Sequence, residues 1–390
     1  CGPNYKCSQE ISLRVLNWIF ALYYYKSSPL LTESCFQKII NSIYWQIKHV
    51  YGNINFSRIA VRNNHAITET LTLYIVGLLF PWFPDAKLWK SKGKKWFEKE
   101  IEYQIAEDGT YLQFSMNYHR VVIQLLTWGI ALAQRNGECF SEHVYQRAYQ
   151  SVNFLYQCQE LSNGYLPNYG SNDGALFFKL NDSDYRDYRP QLDALHYLLT
   201  GENLYDDVYE DRGWYANNRN CIHAEFAPLK PKIGCISFDV GGYYLIREQD
   251  TLTFIRCGKY KDRPAHADNL HMDVWYKGEN MPLWIHYGSL VVSEPVEKEK
   301  YVIKKFDFEK GEYQIFTEYK TYLFNGAEYE VENGYFILPK PKEDKPIYQP
   351  NDAELAIMEM QADMYEQQEQ SNLTLMESLT DLYETMMGGN

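Results

Sequence analysis

Apolar residues recur at helical spacing through the first half of the chain. Ile11, Val15, Ile19 and Tyr23 form one stripe, and Leu71, Leu73, Tyr74 and Leu78 form another. Val121, Leu125, Trp128 and Leu132 continue it, with further helical segments expected near 143–158 and 190–200. Turn clusters separate them: Lys26-Ser27-Ser28-Pro29, Phe80-Pro81-Trp82-Phe83-Pro84 and Ser162-Asn163-Gly164. Successive amphipathic helices with short connections must bury their stripes on one another, as in a bundle or a helical toroid. The period then changes from 3.6 to 2. Cys235–Val240, Tyr243–Ile246, Leu252–Ile255 and His271–Tyr276 are short β-rich runs, punctuated by Gly241-Gly242, Gln249-Asp250 and Lys277-Gly278. This is the pattern of an antiparallel sheet. More short β-rich runs follow over 301–338. From Pro346 a weakly amphipathic helical pattern returns, with Leu375, Leu379, Leu382 and Met386 in register. The expected organisation is therefore a helical region over 1–215, an antiparallel sheet region over 221–340 and a helical tail over 346–390.

Charge sharpens that division. The 390 residues carry a formal charge of −13, and Pro346–Asn390 supply −9 of it, with no Lys or Arg. The tail also holds six of the nine Met. No basic stripe is available to neutralise phosphates, so a nucleic-acid partner is not expected. The longest nearly apolar run, Leu71–Pro84, is too short to span a bilayer. The chain starts at Cys1 with no signal-peptide pattern, so a fragment or a mature chain is expected. Eight scattered cysteines include no C-x-x-C pair and give no redox assignment. Tyr, Phe and Trp make up 16% of residues, which fits an aromatic core and also fits ring stacking on sugars.

Four clusters carry candidate chemistry. Asn63-Asn64-His65 stands just before an apolar helix. Either Asn could serve as an N-cap, and the same place offers amide donors and a favourable dipole to a carboxylate. Asp108-Gly109-Thr110 is a turn leading to Asn117, Tyr118, His119 and Arg120. There a phenol beside a cation could transfer protons, or the side chains could simply pack the next helix. Leu166–Gly174 is a polar, Gly-rich loop, suited to sugar hydroxyls or to self-bonded Asx turns. In Pro264–Asp273, His266 with Asp268 and His271 with Asp273 each share a strand face. That suits a metal pair, a His oriented by a carboxylate, or a polar sheet face.

In order, these elements resemble the heparinase II/III-like polysaccharide lyase family. The matching pieces are Asn63-Asn64-His65 with Leu78–Pro81, Asp108-Gly109 with Tyr118-His119, Pro167–Gly174, and His266-Ala267-Asp268-Asn269-Leu270. The resemblance implies an (α/α) toroid followed by an antiparallel β-sandwich, with substrate in the cleft between them. It implies β-elimination at a uronic acid of an acidic polysaccharide of glycosaminoglycan or alginate type, in a periplasmic or extracellular protein. Asn64, helped by His65, is then expected to neutralise the sugar carboxylate. Tyr118 is the expected acid, and His65 or His266 the base, with Tyr118 itself a further candidate for that role. His119, Arg120, Asn172 and Asp173 are expected sugar contacts. Zinc at His266 and Asp268 is the one cofactor the resemblance allows. A non-catalytic glycan-binding or capsule-assembly protein on the same scaffold is the alternative. A hydrolase needs two facing carboxylates, for which Asp173 and Asp268 are the only candidates.

The sequence also departs from the family. Pro264 stands where some members have His. Leu283–Ser289 lacks the usual Asp-x-Gly-x-Tyr, and no His follows His286. In members with a zinc site those positions supply ligands. From about Met281 the chain is therefore expected to leave the family sheet, giving a truncated sandwich, weakened catalysis and a tail that packs little. The last helix resembles the end of small phage-encoded proteins.

Overall fold

The computed structural model describes residues 6–215, 226–258 and 269–281 in full, and backbone strands beyond them as far as residue 337. The helical region comprises α1 (Ser8–Tyr24), α2 (Glu33–Asn55), a π-helical segment (Phe56–Val61), α3 (Asn64–Leu79), α4 (Ala86–Gln104), α5 (Met116–Arg135), α6 (Glu142–Cys158), α7 (Arg189–Thr200) and a short α8 (Glu210–Tyr215).

α3 sits at the centre. Unlike an amphipathic surface helix, it is buried on nearly every side from Asn64 to Gly77. Its polar residues must then be satisfied internally. Thr68, Thr70 and Thr72 donate their hydroxyls to the carbonyls of Asn64, Ala66 and Thr68, at 2.9, 2.6 and 2.8 Å. Such back-bonding is how β-hydroxyl residues are buried in a helix. α4 packs unusually close to α3. A Cβ on Gly77 would overlap the backbone of Lys90, and one on Gly93 would overlap that of Tyr74. Mid-helix glycine costs roughly 1 kcal/mol against alanine. Here two of them permit backbone-to-backbone contact.

The chain forms two compact units by contact: residues 1–296 with 319–326, and residues 297–318 with 327–390. In the first, β1 (Gly234–Phe238), β2 (Tyr243–Arg247), β3 (Thr251–Arg256), β4 (His271–Tyr276) and β5 (Glu279–Met281) form an antiparallel meander in sequence order. Along β1–β3 alternate side chains are buried, including Ile236, Phe238, Leu245, Leu252 and Phe254. Ring contacts and charged hydrogen bonds dock this sheet on the helices. Phe154 meets Phe238 edge-on at 4.9 Å. The buried Arg247 guanidinium donates to the carbonyls of Gln157 and Gln159 at 2.7 and 2.8 Å, at the end of α6. A cation there satisfies carbonyls that lack intrahelical partners. Asp108 Oδ2 accepts from the backbone N–H groups of Val240 and Gly241 at 2.9 and 3.1 Å. The Asp108-Gly109 motif thus joins helices to sheet.

The meander ends at Met281. A separate three-stranded sheet pairs β6 (Leu283–His286), β7 (Ser289–Pro295) and β10 (Tyr319–Leu323). In the second unit, β8 (Val302–Asp307), β9 (Glu312–Phe316), β11 (Val331–Glu332) and β12 (Tyr335–Ile337) form a four-stranded antiparallel sheet. The expected tail over 346–390 lies outside the described residues. Among those that are described, no helix is long and apolar enough to cross a membrane.

α3 also buries a carboxyl. Glu69 accepts from Ser57 Oγ at 2.6 Å, and burial pushes its carboxyl up to about 7, against the opposing effect of that hydrogen bond. A raised acid favours the protonated form on folding, so stability is lost as pH rises from the ordinary value of 4.5 through about 7. Glu69→Gln should therefore be more stable than the parent at pH 8, by roughly 3 kcal/mol, with the gain largely gone at pH 5. Chemical denaturation at the two pH values measures this. A parent as stable as the variant at pH 8 would refute it.

Candidate active site

Hydrogen bonds to backbone carbonyls link the start of α3 to the segment that leads into α5. Asn63 caps α3, its Oδ1 accepting from His65 N at 3.0 Å. Its carbonyl accepts from Gln104 Nε2 at 2.9 Å, at the end of α4. Gln104 in turn accepts from Leu112 N at 2.8 Å, four residues before α5 begins. The starts of α3 and α5 therefore lie at the same end of the helical region. Asn64 is buried in the first turn of α3, and its Oδ1 has no partner. Half a turn of the amide would aim its N–H donors in the same direction. His65 beside it is half-buried.

One hydroxyl organises the start of α5. Ser115 Oγ accepts from Tyr118 N at 3.1 Å as the N-cap, and donates to the carbonyl of Ser171 at 2.6 Å. Met116 N donates to the Tyr169 carbonyl at 3.0 Å. The Gly-rich loop is thereby fastened across the helix start. Gly170 has φ +82°, and a Cβ there would overlap the Phe114 carbonyl oxygen. Inside the loop, Asn172 Nδ2 donates to Asn168 Oδ1 at 2.8 Å, and Asn172 Oδ1 accepts from Gly174 N at 3.0 Å. The self-bonded Asx reading of this loop is what the structure shows. Asn172 and Asp173 still face solvent. Asp173 Oδ2 accepts from the Tyr118 hydroxyl at 2.6 Å. Burial first, then Asp173, pushes the Tyr118 phenol up to about 12.

Two expected sugar contacts prove to be interior. His119 is 1% exposed, with its ring between those of Tyr111 and Phe154 and its Nε2 3.0 Å from Ser151 Oγ. Burial drives its imidazole down to about 3. It stays neutral and packs the core, because the helical turn that exposes Tyr118 points the next residue inward. Arg120 is equally buried, its guanidinium 4.4 and 4.2 Å from the ring centres of Tyr185 and Tyr188. It donates to the Tyr185 carbonyl and, at 3.1 Å, to Asn117 Oδ1. It anchors the 185–188 segment on α5.

The fold also brings here Asn117, to which the motif gave no role of its own, and Tyr185, which lies in no motif. The Tyr185 hydroxyl lies 2.7 Å from Asn117 Oδ1 and 2.8 Å from Asn172 Oδ1, bridging α5 to the loop. Asn117 is buried with its Nδ2 donor unpartnered. Its place beside Tyr118 was the available signal, whereas Tyr185 sits in a stretch with no motif. On the sheet side, His271 Nε2 is 3.4 Å from Asp273 Oδ2, and the His271 ring lies 5.3 Å from that of Tyr169. This is one of the two His/Asp pairs expected on a strand face. The other, His266 and Asp268, lies outside the described residues. Among the described residues no three His, Cys, Asp or Glu side chains converge as a metal site would need.

Gly170→Ala should place a side chain in a left-handed conformation, costing about 1–2 kcal/mol before any overlap is counted. Its melting temperature should fall. Removing the Ser115 hydroxyl with Ser115→Ala should destabilise by about 1 kcal/mol through the lost cap. Thermal melts of both variants measure this, and a Gly170→Ala protein that melts with the parent would contradict the loop packing.

Residues 7–180 match the model of the heparinase II/III N-terminus. A heparin-sulfate lyase of Bacteroides stercoris is 22% identical over 128 residues, which is 33% of this chain and 18% of the relative. The crystal structure of heparinase III superposes with a TM-score of 0.50 at 18% identity, over 70% of this chain and 42% of that one. A mutant of a heparan sulfate lyase from Pedobacter heparinus is 19% identical over 70% of this chain and 40% of its own, with a TM-score of 0.47. The chain thus spans less than half the length of these proteins. By the matched domain and the motifs inside it, the helical region at residues 7–180 is of the heparinase II/III-like family.

Proposed function

We propose that this chain carries the helical half of a lyase that cleaves a uronate-containing polysaccharide by β-elimination. The observation that supports it most is the match of residues 7–180 to the heparinase II/III N-terminus, a region in which Asn64 and Tyr118 each stand in the first turn of a buried helix. We take the helices to close as an (α/α) toroid and the five-stranded meander of the first unit to belong to a truncated antiparallel β-sandwich that faces it.

The chemistry asked of the site is specific. The uronate C5 proton is only weakly acidic, and its removal delivers charge to the carboxylate. Something must neutralise that charge as it develops. The start of α3 offers backbone N–H groups and a favourable dipole, and Asn64 adds a side-chain amide whose N–H donors suit a carboxylate. His65 stands next to it. A base then takes the C5 proton, the C4–C5 double bond forms, the C4–O4 bond breaks, and O4 receives a proton from an acid. Tyr118 is the acid in this reading, and His65 or His266 the base. His266 and Asp268 are the residues that would hold a zinc ion. Asn172 keeps an exposed position suited to a sugar hydroxyl. His119 and Arg120, being interior, support the site without touching substrate.

Incubation of the full chain with glycosaminoglycans and alginates, followed by absorbance of the unsaturated uronate, tests the proposal. A rise with one polymer class is expected. Tyr118→Phe should lower turnover by about 10²–10⁴-fold while leaving glycan binding nearly intact, since it removes only a hydroxyl. Asn64→Ala should lower turnover by a comparable factor of roughly 10²–10³. Binding with no absorbance rise would instead favour the non-catalytic glycan-binding protein. New reducing ends without the absorbance would favour a hydrolase.

A further inference from the structure

The Tyr118–Asp173 contact is built from both sides. Ser115 Oγ holds the Tyr118 backbone and the Ser171 carbonyl at once, so one hydroxyl fixes the spacing between helix and loop. The Asp173 carboxylate is oriented by its other oxygen, which accepts from Ala175 N at 3.1 Å. Asn172 braces the loop against Asn168, Gly174 and Tyr185. What remains is one carboxylate oxygen standing 2.6 Å from the phenol oxygen. This is a poor arrangement for a sugar contact, because the oxygen nearest the site is already occupied.

We propose that Asp173 is a positioning residue that holds Tyr118 as a protonated phenol, so that Tyr118 acts as the acid of the elimination and a different group acts as the base. The proposal rests on the lyase reading above and narrows it. Ionising Tyr118 would set a phenolate against a carboxylate at hydrogen-bond distance, with like charges repelling and a strong hydrogen bond lost. Burial first, and then Asp173, raise the Tyr118 phenol. A single tyrosine that first takes the C5 proton and then returns it to O4 must begin as phenolate, and this environment opposes that. The balanced step is different. A separate base takes the C5 proton, the C4–O4 bond breaks, and the Tyr118 proton turns from Asp173 to O4. The phenolate left behind, repelled by Asp173, is reprotonated by water. Asp173 begins and ends as a carboxylate.

The test compares parent, Asp173→Asn and Tyr118→Phe, each as the full chain with ¹³Cζ-labelled tyrosine. The Tyr118→Phe spectrum assigns the Tyr118 signal, and its pH titration needs no turnover. Asp173→Asn keeps shape and an acceptor but removes the charge. Asp173 is exposed, so its melting temperature should stay near the parent's. The Tyr118 titration should move down by about one unit or more in Asp173→Asn. With a cleaved polymer, the alkaline limb of the kcat profile should move the same way. At neutral pH kcat should fall about tenfold or more, with KM changing little. Should no polymer be cleaved while the titration still moves, the lyase reading fails and the positioning role stands. An unmoved Tyr118 titration would overturn the proposal. So would a raised KM at unchanged kcat, the mark of a sugar contact that binds substrate and transition state alike.

Discussion

The burial of α3 is the constraint on which the rest of this structure depends. A helix enclosed on all sides must satisfy its polar groups within itself or at its ends. Its threonines do so by bonding back to the preceding turn, and its glycines let α4 press against it. What the interior cannot absorb is displaced to the N-terminus, where backbone donors lack intrahelical partners. Asn63 and Asn64 stand there, one capping the helix and the other buried with an amide end left open.

α5 repeats the arrangement, since most of its residues are also buried. Ser115 is its cap and at the same time the fastening of the Gly-rich loop. Because one hydroxyl serves both, the loop cannot shift without disturbing the helix start that carries Tyr118. The loop's own Asx bonds stiffen it further. Pre-organisation of this kind suits a proton donor, which must be held before the substrate arrives. The interior neighbours contribute differently. Arg120, enclosed by Tyr185 and Tyr188, fixes the segment that braces the loop from its far side. A guanidinium buried among rings and acceptors is a structural cation.

Charged side chains dock the sheet by main-chain recognition at two places. Asp108 gathers two amides from the β1–β2 turn, and Arg247 gathers two carbonyls from the end of α6. Both are charged groups whose partners are backbone dipoles, so the joint does not rely on a second ion. That places β4, with His271 and Asp273, against Tyr169 of the loop.

Much of this was legible in the sequence because it is periodic or local. Stripes such as Ile11, Val15 and Ile19 define helices, alternation over 235–276 defines strands, and Asn63 before an apolar run defines a cap. The ordered motifs further pointed to the family that the match over 7–180 supports. The sequence could not say which of two adjacent residues faces the site. Tyr118 and His119 are neighbours in the same motif, yet a helix turns each residue about 100° from the last, so one meets the loop and the other the core. Nor could it pair Tyr118 with Asp173, or Asp108 with Val240 and Gly241, which lie 55, 132 and 133 residues apart. Sequence periodicity decides which face of an element is apolar. Only the packing of those faces decides which polar groups meet, because such bonds are fixed by distance and direction in space and leave no period along the chain.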